Sequence, residues 1–414
     1  MTQPDTTWLS TGPLAHVLAV LDHAGEEARV VGGAVRNALF GQQPGEIDIA
    51  TTALPGAVIE RARAAGFKAV PTGIDHGTVT VIADGMPFEV TTLRADVETY
   101  GRRAKVAFGR DWKVDAERRD FTMNALSINR AGEIFDYVGG RADIEARRVR
   151  FIGDARRRIA EDYLRILRFF RFHATYGSGP PDPDGLAACI AGRAGLEQLS
   201  RERVRMELMK LLVAPHAAPT LAVMAEAGLL AAVLGGVPVL ASFENTCKVE
   251  AAAGVAADAA RRLGALGVSV VEDAARLWQR LRLTNSEHAR LLSIAEGWSS
   301  IAPGDEAAAR ALLYRIGPDR FIDRVLIAWA RSPAGAADER WRDLASLPAR
   351  WTAPKFPLKA RDFIKRGLEK GPKLGAALAA AENAWIATGF PGNPAALEEI
   401  ADRAAAGADH ARPK

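Results

Sequence analysis

The sequence contains only two cysteines, Cys189 and Cys247, which lie far apart in a chain of 414 residues. Two distant thiols exclude a disulfide framework and a cysteine-rich zinc site, and they are typical of a reducing compartment. The first residues, MTQPDTTWLS, also lack the basic and apolar regions of a secretion signal. We therefore expect a cytoplasmic protein.

Long apolar runs and a strong charge excess are missing as well. The longest apolar stretch, 221–240, is interrupted by Glu226, two adjacent glycines and Pro238, which indicates a buried helix and turn rather than a membrane span. Hydrophobic residues make up 48% and charged residues 25%, which excludes disordered, collagen and coiled-coil classes. The length predicts about two to four domains.

The net charge of +4 is unevenly distributed along the chain. The segment 141–171 contains ten arginines and five carboxylates, so it carries the whole positive excess. Arginine suits bidentate contacts to phosphates and base edges, because its guanidinium is planar and always charged. This segment is therefore a candidate for binding an anionic ligand.

Secondary-structure patterns divide the chain near residue 150. Strand-like and helix-like patterns alternate before it, including a predicted hairpin of Thr78–Ala83 and Phe88–Leu93 around the turn sequence DGMP. Helical patterns broken by glycine- and proline-rich loops dominate after it. The sequence thus predicts an α+β protein, with a mixed-sheet head followed by an all-α remainder.

A glycine pair and a carboxylate pair stand close together in the head. Gly32 and Gly33 lie between a predicted strand and a predicted helix, where backbone N–H groups approach a phosphate most easily. Arg36 lies one turn into that helix, within reach of a triphosphate. Glu46 and Asp48 are two residues apart on a predicted strand, so both carboxylates face one side. Such a pair can hold Mg²⁺ ions for in-line phosphoryl transfer.

A third carboxylate, Glu89, lies on a strand predicted beside the one that carries the pair. Three carboxylates would bracket two metal ions and help to deprotonate an attacking hydroxyl. Taken singly, these features have plainer interpretations: a simple turn, a solvated strand face and an exposed glutamate. Their ordered combination within the chain is far more specific for phosphoryl transfer than any one of them alone.

The string RRDFTMN, 118–124, places two guanidiniums, a carboxylate and an amide ahead of a strand. Arg119 and Asn124 are its candidate nucleotide ligands, through phosphate or sugar contacts. The alternative is a capped loop with surface ion pairs.

Asp162, Arg165, Arg168 and Arg171 follow an i, i+3 spacing. On a single helix they would form a polar ridge about 13 Å long, close to the length of a nucleoside triphosphate. An Asp/Arg pair can accept from an exocyclic amino group and donate to a ring nitrogen, which selects cytosine and adenine over uracil and guanine. The alternative is an amphipathic helix with internal salt bridges.

Together these strings resemble the class II tRNA nucleotidyltransferase family, which comprises CCA-adding enzymes and bacterial poly(A) polymerases. The matching strings are GGAVRN, EIDIATTA, FEVTTLR, RRDFTMNAL, FDYVGGRADIEARRVRFIG and EDYLRILRFFRF. LSRERVRMELMKLL resembles the family's neck, and the segment beginning KFPLKARDF resembles its tail. The resemblance implies a polymerase-β-like nucleotidyltransferase head at 1–150, a helical neck with a nucleotide-selecting helix at 151–215, a body at 216–350 and a tail at 351–414.

The resemblance also implies roles, position by position. The catalytic carboxylates are Glu46, Asp48 and Glu89, of which Glu46 and Asp48 bind Mg²⁺, with Mn²⁺ as an alternative. Asp162 and Arg165 act as an amino-acid template for the base, and 94–113 matches a loop that helps to switch from CTP to ATP. The implied nucleotide-binding residues are Gly32, Gly33, Arg36, Arg119, Asn124, Asp162, Arg165, Arg168 and Arg171.

Two positions depart from the family pattern. The family usually has aspartate where this chain has Glu46, and the extra methylene changes the reach of the carboxylate. It also usually has aspartate at Asn37, so the chain lacks a charge beside Arg36. The departure at Glu46 concerns the metal site, and the departure at Asn37 concerns the orientation of Arg36.

The expected function is template-independent addition of CCA to the 3′ end of tRNA from CTP and ATP, with release of pyrophosphate. The alternatives are a poly(A) polymerase, a partial enzyme that adds only CC or only A, and an inactive tRNA-binding protein. The sequence indicates no membrane association and no protein partner. An additional phosphohydrolase activity of the paired His-Asp type is not expected, because Asp409 and His410 lie in a short alanine-rich tail and the seven histidines form no cluster along the chain.

Overall fold

The computed structural model describes residues 5–100 and 103–410, which form two compact units. The first unit runs to Pro238 and includes Arg280–Arg282; the second comprises Val239–Gln279 and the chain from Leu283 onward. Among the residues described, no helix is long and apolar enough to cross a membrane.

The first unit contains a seven-stranded mixed sheet with the strand order β3-β4-β5-β2-β1-β8-β9. β2 and β5 pair in parallel, and the other neighbours are antiparallel. A separate hairpin is formed by β6 and β7. The strands are β1 Ala28–Val31, β2 Asp48–Thr51, β3 Lys68–Gly73, β4 Thr78–Ala83, β5 Met86–Thr92, β6 Arg94–Tyr100, β7 Arg103–Phe108, β8 Ser127–Ile128 and β9 Ile134–Phe135.

Beyond the sheet the described chain is helical, so the predicted α+β architecture is confirmed. The helices that begin in the first unit before Pro238 are α1 Thr7–Ser10, α2 Gly12–Leu21, α3 Gly33–Leu39, α4 Pro55–Ala64, α5 Trp112–Glu117, α6 Gly140–Glu145, α7 Ala155–Glu161, α8 Leu164–Tyr176, α9 Pro183–Ala191, α10 Arg201–Leu212, α11 Ala217–Glu226 and α12 Leu229–Leu234. The later helices are α13 Leu240–Ala253, α14 Ala259–Gly267, α15 Val271–Leu281, α16 Asn285–Gly297, α17 Glu306–Ile316, α18 Pro318–Arg331, α19 Glu339–Arg350, α20 Ala360–Ile364, α21 Pro372–Ala387 and α22 Pro394–His410.

The two faces of the sheet differ in polarity. On β4, Val79, Val81 and Ala83 are buried, and α2 and α4 pack against this strand. Thr78, Thr80 and Ile82 occupy the alternate, half-buried positions, so the opposite face is more polar. The predicted hairpin around DGMP is confirmed, with its turn at Asp84–Gly85. The helices thus cover the apolar face and leave the polar face free to carry the site.

An aromatic cluster joins the sheet module to α8 within the first unit. Phe121 packs against Phe151 and Phe172 with ring centroids 4.9 and 5.1 Å apart, and Phe151 stacks on Phe169 at 5.4 Å. Phe121 and Phe169 have no exposed surface. Buried aromatic pairs of this kind fix the position of a helix, because each ring fills a large volume in one orientation.

The first unit also draws on a segment far along the chain. Arg280 donates from Nη2 to the carbonyl of Ala232 in α12 at 2.6 Å. Arg282 forms a 2.8 Å ion pair with Glu202 in α10. These two arginines therefore complete hydrogen bonds at helices that precede Pro238.

A buried ion network stabilises the second unit. Asp323 of α18 is fully buried and accepts from Arg261 Nε at 3.1 Å and Arg290 Nε at 2.7 Å. Glu250 of α13 accepts from Arg261 Nη1 and Arg262 Nε at 2.7 and 2.8 Å. The network links α13, α14, α16 and α18.

We predict that Asp323→Ala destabilises the protein by about 3–5 kcal/mol, because it removes the buried carboxylate that two largely buried guanidiniums share. Urea unfolding followed by tryptophan fluorescence measures this loss. The matched control is Asp319→Ala on the exposed first turn of the same helix, which should cost less than about 1 kcal/mol. Equal losses for the two variants would contradict the importance of the network.

Candidate active site

The glycine pair forms a sharp turn between β1 and α3. Gly32 has φ 71° and ψ −121°, and its N–H donates to the carbonyl of Leu126 at 3.1 Å. A Cβ atom on Gly32 would lie 3.3 Å from Arg119 Nη1, so the turn and this guanidinium are in close contact. At Gly33, where the backbone is helical, a Cβ would meet only an ordinary contact with Arg36 Nη2 at 3.6 Å.

The parallel pairing of β2 with β5 brings two of the predicted carboxylates together. Asp48 is the first residue of β2 and lies directly opposite Glu89 of β5. Paired residues of neighbouring strands point to the same face, so both side chains project from the polar face of the sheet. The prediction that Glu89 lies on the strand beside Asp48 is therefore confirmed.

The prediction that Glu46 shares a strand with Asp48 is wrong. Glu46 lies exposed in a bend ahead of β2. The strand starts at Asp48 because the last residue of β1, Val31, is opposite it, and β1 then turns away at Gly32. On the other side the register with β5 begins at the same residue, where Asp48 is opposite Glu89.

The electrostatics of this carboxylate group favour a cation. Burial and the neighbouring charges of Glu89 and Glu46 raise the pKa of Asp48, against the opposing effect of Arg119. Over residues 5–100 and 103–410, no three potential ligands stand close enough together to hold a metal ion as they are. Mg²⁺ commonly binds through only one or two carboxylates plus waters, so the Asp48–Glu89 pair fits its ligand chemistry.

Arg118 and Arg119 face the same pocket, of about 210 Å³, that Asp48 and Glu89 line. Both arginines are held by Asp115 of α5, at 2.7 Å for Arg118 and 3.1 Å for Arg119. Burial alone would raise the pKa of Asp115, but the two guanidiniums outweigh it and hold that pKa below its usual range. Sequence reasoning missed Asp115, although its i, i+3 and i, i+4 spacing from the arginines signals such a contact.

The guanidinium of Arg36 is buried. It donates to Asn124 Oδ1 at 2.5 Å, to the hydroxyl of Tyr176 at 2.7 Å and to Asn37 Oδ1 at 2.9 Å. It also lies 4.1 Å from the ring centre of Tyr176. Burial lowers the pKa of Arg36. The structure thus places Arg36 between α3 and α8, where it holds the two elements together, and its contact with a triphosphate stays a prediction.

Asn124 continues the network toward α8. Its Nδ2 donates to Asp120 at 3.1 Å, and Asp120 also accepts from Arg168. Burial opposes the ionised form of Asp120, but Arg168 and the hydrogen bond from Asn124 lower its pKa. Glu207 of α10 pairs with Arg171 at 2.5 Å and lies 3.7 Å from Arg168. Sequence reasoning did not select Asp120 or Glu207 as site residues.

Asp162 and Arg165 do not lie on one continuous helix, contrary to the prediction. α7 ends at Glu161, and Asp162 has extended backbone angles of −157° and 107° before α8 begins. The Asp162 side chain accepts a hydrogen bond from the N–H of Leu164 at 3.1 Å. This local bond to the backbone favours the extended conformation of Asp162 over a helical one. The Asp162 side chain also forms a 2.6 Å ion pair with Arg203, whereas Arg165 pairs with Glu161 at 2.5 Å.

The structure therefore sorts the predicted residues into three groups. Asp48, Glu89 and Arg119 surround one pocket on the sheet, with Gly32 behind Arg119 and Glu46 on the preceding loop. The second group is a network of hydrogen bonds that runs through Asp120 and links three predicted residues: Arg36, Asn124 and Arg168. The third group consists of Asp162 and Arg165, which follow α7, and each of these side chains has its own ion-pair partner.

The predicted switching loop, 94–113, corresponds largely to β6, β7 and the start of α5. Arg94, at the base of β6, lines the pocket with Asp48 and Glu89. Gly101 and Arg102 lie outside the described residues.

Comparison with known proteins gives concordant matches. Residues 28–150 match the family described as poly(A) polymerase head domain, and 181–243 match a probable RNA- and SrmB-binding site of polymerase A. The mitochondrial CCA tRNA nucleotidyltransferase 1 of Mus musculus is 34% identical over 391 residues, covering 94% of this chain and 89% of the relative. The CCA-adding enzyme of Geobacillus stearothermophilus is 35% identical over 375 residues, covering 87% and 89%. The crystal structure of the Bacillus stearothermophilus CCA-adding enzyme in complex with CTP matches with a TM-score of 0.75 at 31% identity, covering 96% of this chain and 98% of that one.

We predict that Gly32→Ala destabilises the protein by about 1–2 kcal/mol, because alanine resists the positive φ of this turn. Its methyl group would also press on Arg119. The adjacent Gly33→Ala is the matched control and should change stability by less than about 0.5 kcal/mol, since Gly33 is already helical. Urea unfolding measures both variants; similar losses would show that the turn geometry of Gly32 is not special.

Proposed function

The chain belongs to the tRNA nucleotidyltransferase family of CCA-adding enzymes, since relatives above 30% identity match it over most of their length and its own, and on that basis we propose that it adds CCA to the 3′ end of tRNA. The reaction uses CTP and ATP without a nucleic-acid template and releases pyrophosphate. The observation that carries the proposal is the pairing of Asp48 with Glu89 in one pocket with Arg119.

The head residues divide the work of phosphoryl transfer. Asp48 and Glu89, joined by Glu46 from the preceding loop, would hold Mg²⁺ or Mn²⁺. When bound, the metal ions supply charge stabilisation for the transferred phosphoryl group and activate the attacking 3′ hydroxyl. Arg119, fixed by Asp115, lines the same pocket, where it can orient the triphosphate.

Base selection is assigned to Asp162 and Arg165. The Asp162 carboxylate accepts from the amino group of cytosine or adenine, and Arg165 donates to the neighbouring ring nitrogen. Arg203 and Glu161 bind these two side chains in the free protein. They limit the rotamers of the selecting residues before the nucleotide arrives, which reduces the entropy lost on binding.

We propose the domain organisation expected from the sequence: a head at 1–150, a neck at 151–215, a body at 216–350 and a tail at 351–414. Arg168 and Arg171 remain assigned to the nucleotide side of the neck, while Gly32, Gly33, Arg36 and Asn124 shape the head around the triphosphate. The cytoplasmic location also stays a prediction, because the mouse relative is named mitochondrial. The prediction rests on the two free cysteines.

A second candidate function is poly(A) addition or partial addition of CC or A alone. The match of 28–150 to a family described as poly(A) polymerase head domain favours this alternative. The head and neck residues described above serve either product, because both need the same phosphoryl transfer.

The product made on a truncated tRNA decides between these functions. Purified full-length protein with Mg²⁺ is incubated with a tRNA transcript that lacks its 3′ CCA. We expect two residues added from CTP alone and three from CTP with ATP, measured by gel electrophoresis. Long A tails would establish a poly(A) polymerase, addition that stops at CC or requires a preformed CC end would establish a partial enzyme, and no addition would establish an inactive protein.

We predict that Asp48→Asn lowers nucleotide addition by at least about 10³-fold, because the pocket loses a central charge of its metal-binding pair. Binding of tRNA, measured by filter retention, should change less than about twofold. Glu60→Gln, on the exposed side of α4, removes the same charge away from the pocket and should retain activity. An active Asp48→Asn variant would remove Asp48 from the metal site.

We predict that Asp162→Ala lowers the preference for CTP over UTP by about 10- to 100-fold, because the protein loses one hydrogen-bonding contact to the base. Single-turnover kcat/KM values for each nucleotide provide the measurement. Glu89→Gln should slow all nucleotides alike and so serves as the control for a general loss of activity. Unchanged discrimination in Asp162→Ala would contradict the template role.

A further inference from the structure

Asn37 closes both ends of the short loop that leads to Glu46. Its backbone carbonyl, in the last turn of α3, accepts from the N–H of Gln42 at 2.9 Å. Its side-chain Nδ2 donates to the carbonyl of Pro44 at 3.2 Å. The loop between these contacts, 41–45, is therefore held at its start and at its end by one residue.

The hydrogen bonds of Asn37 identify the side chain that this position requires. Its Oδ1 accepts from Arg36 at 2.9 Å and from the Tyr176 hydroxyl at 3.3 Å. A guanidinium only donates and a carbonyl only accepts, so the residue between Arg36 and Pro44 must offer one acceptor and one donor. An amide meets both demands, whereas an aspartate of the same shape cannot donate to Pro44.

The geometry of the loop transmits this contact to Glu46. Gly45 follows Pro44 with φ 75°, a conformation that commits the chain to one direction as it enters Glu46. Glu46 itself is exposed and lies two positions ahead of Asp48, where the chain enters β2. The position of Pro44 therefore sets where the Glu46 side chain begins. This side chain is longer than the aspartate that the family usually has at this position.

We propose that Asn37 is a positioning residue that directs the Glu46 carboxylate toward the Asp48–Glu89 pair, through its hydrogen bond to Pro44. This inference rests on the proposed function, in which Glu46 is a metal ligand. It also explains the two departures from the family pattern together. The amide of Asn37 fixes the loop, and the loop carries Glu46, a carboxylate with one more methylene.

The test is a titration of the full-length protein with Mn²⁺ alone, followed by the electron paramagnetic resonance signal of the free ion. Asn37→Asp keeps the acceptor for Arg36 and removes only the donor to Pro44. We expect it to weaken Mn²⁺ binding about three- to tenfold, the effect of one hydrogen bond. Added negative charge alone would strengthen binding, so the expected change is opposite in sign to the electrostatic effect.

Gln42→Asp is the matched control, because it adds the same charge to the same exposed loop and leaves the Asn37 hydrogen bonds in place. It should bind Mn²⁺ at least as tightly as the unmodified chain. Gly45→Ala provides a second route, since it disturbs the loop at its positive φ, while its Cβ would make only an ordinary contact, at 3.7 Å, with Asn37 Nδ2. We expect it to weaken Mn²⁺ binding as Asn37→Asp does. Thermal unfolding confirms that each variant is folded.

A double-mutant cycle with Glu46→Gln locates the effect. If Asn37 acts through Glu46, Asn37→Asp weakens Mn²⁺ binding no further once the carboxylate is gone. Additive losses, or tight binding by both Asn37→Asp and Gly45→Ala, would overturn the positioning role while Glu46 keeps its place in the site. If Glu46→Gln alone binds Mn²⁺ normally, the metal role of Glu46 in the proposed function fails, and this inference fails with it.

Discussion

The buried guanidinium of Arg36 is the constraint around which the first unit is arranged. A cation withdrawn from water must find acceptors, because an unmet charge in the interior costs several kcal/mol or more. Here the acceptors are neutral and come from three places in the chain: Asn37 beside it, Asn124 just ahead of β8 and Tyr176 at the end of α8. Satisfying one side chain therefore fixes the glycine turn, the 118–124 segment and α8 relative to one another.

The same principle changes the meaning of the positive segment 141–171. Its arginines are not a free cationic surface, because buried or partly buried carboxylates take up many of them. Asp143, fully buried, accepts from both Arg148 and Arg150, and Glu161 pairs with Arg158 and Arg165. Local charge density along a sequence thus overstates the charge available to a ligand, since partners arrive from both near and distant positions.

The parts of the site that depend on short-range patterns could be predicted from sequence. The glycine turn, the hairpin and the strand that carries Glu89 each follow from alternation and turn residues within a few positions. The errors at Glu46 and Asp162 have a different origin. A strand begins where its neighbour offers a partner, and a helix begins where its first N–H groups are capped. Both depend on contacts that no local pattern contains.

The missed residues follow the same rule. Tyr176, Asp120 and Glu207 join the site through partners that are distant in the chain, as in the Arg36–Tyr176 contact across 140 positions. Their types, a tyrosine and two carboxylates, are common on helices and carry no signal alone. Asp115 is the exception, because its arginine partners are three and four positions away.

The segment 280–282, which belongs to the first unit although it lies far along the chain, has a consequence for how this chain can be divided. The first unit is discontinuous, so no single cut yields it whole. A fragment ending at Pro238 would leave the carbonyl of Ala232 without the Arg280 donor and Glu202 without Arg282. Gene truncation, limited proteolysis and domain exchange at that boundary would all remove part of the unit they were meant to isolate.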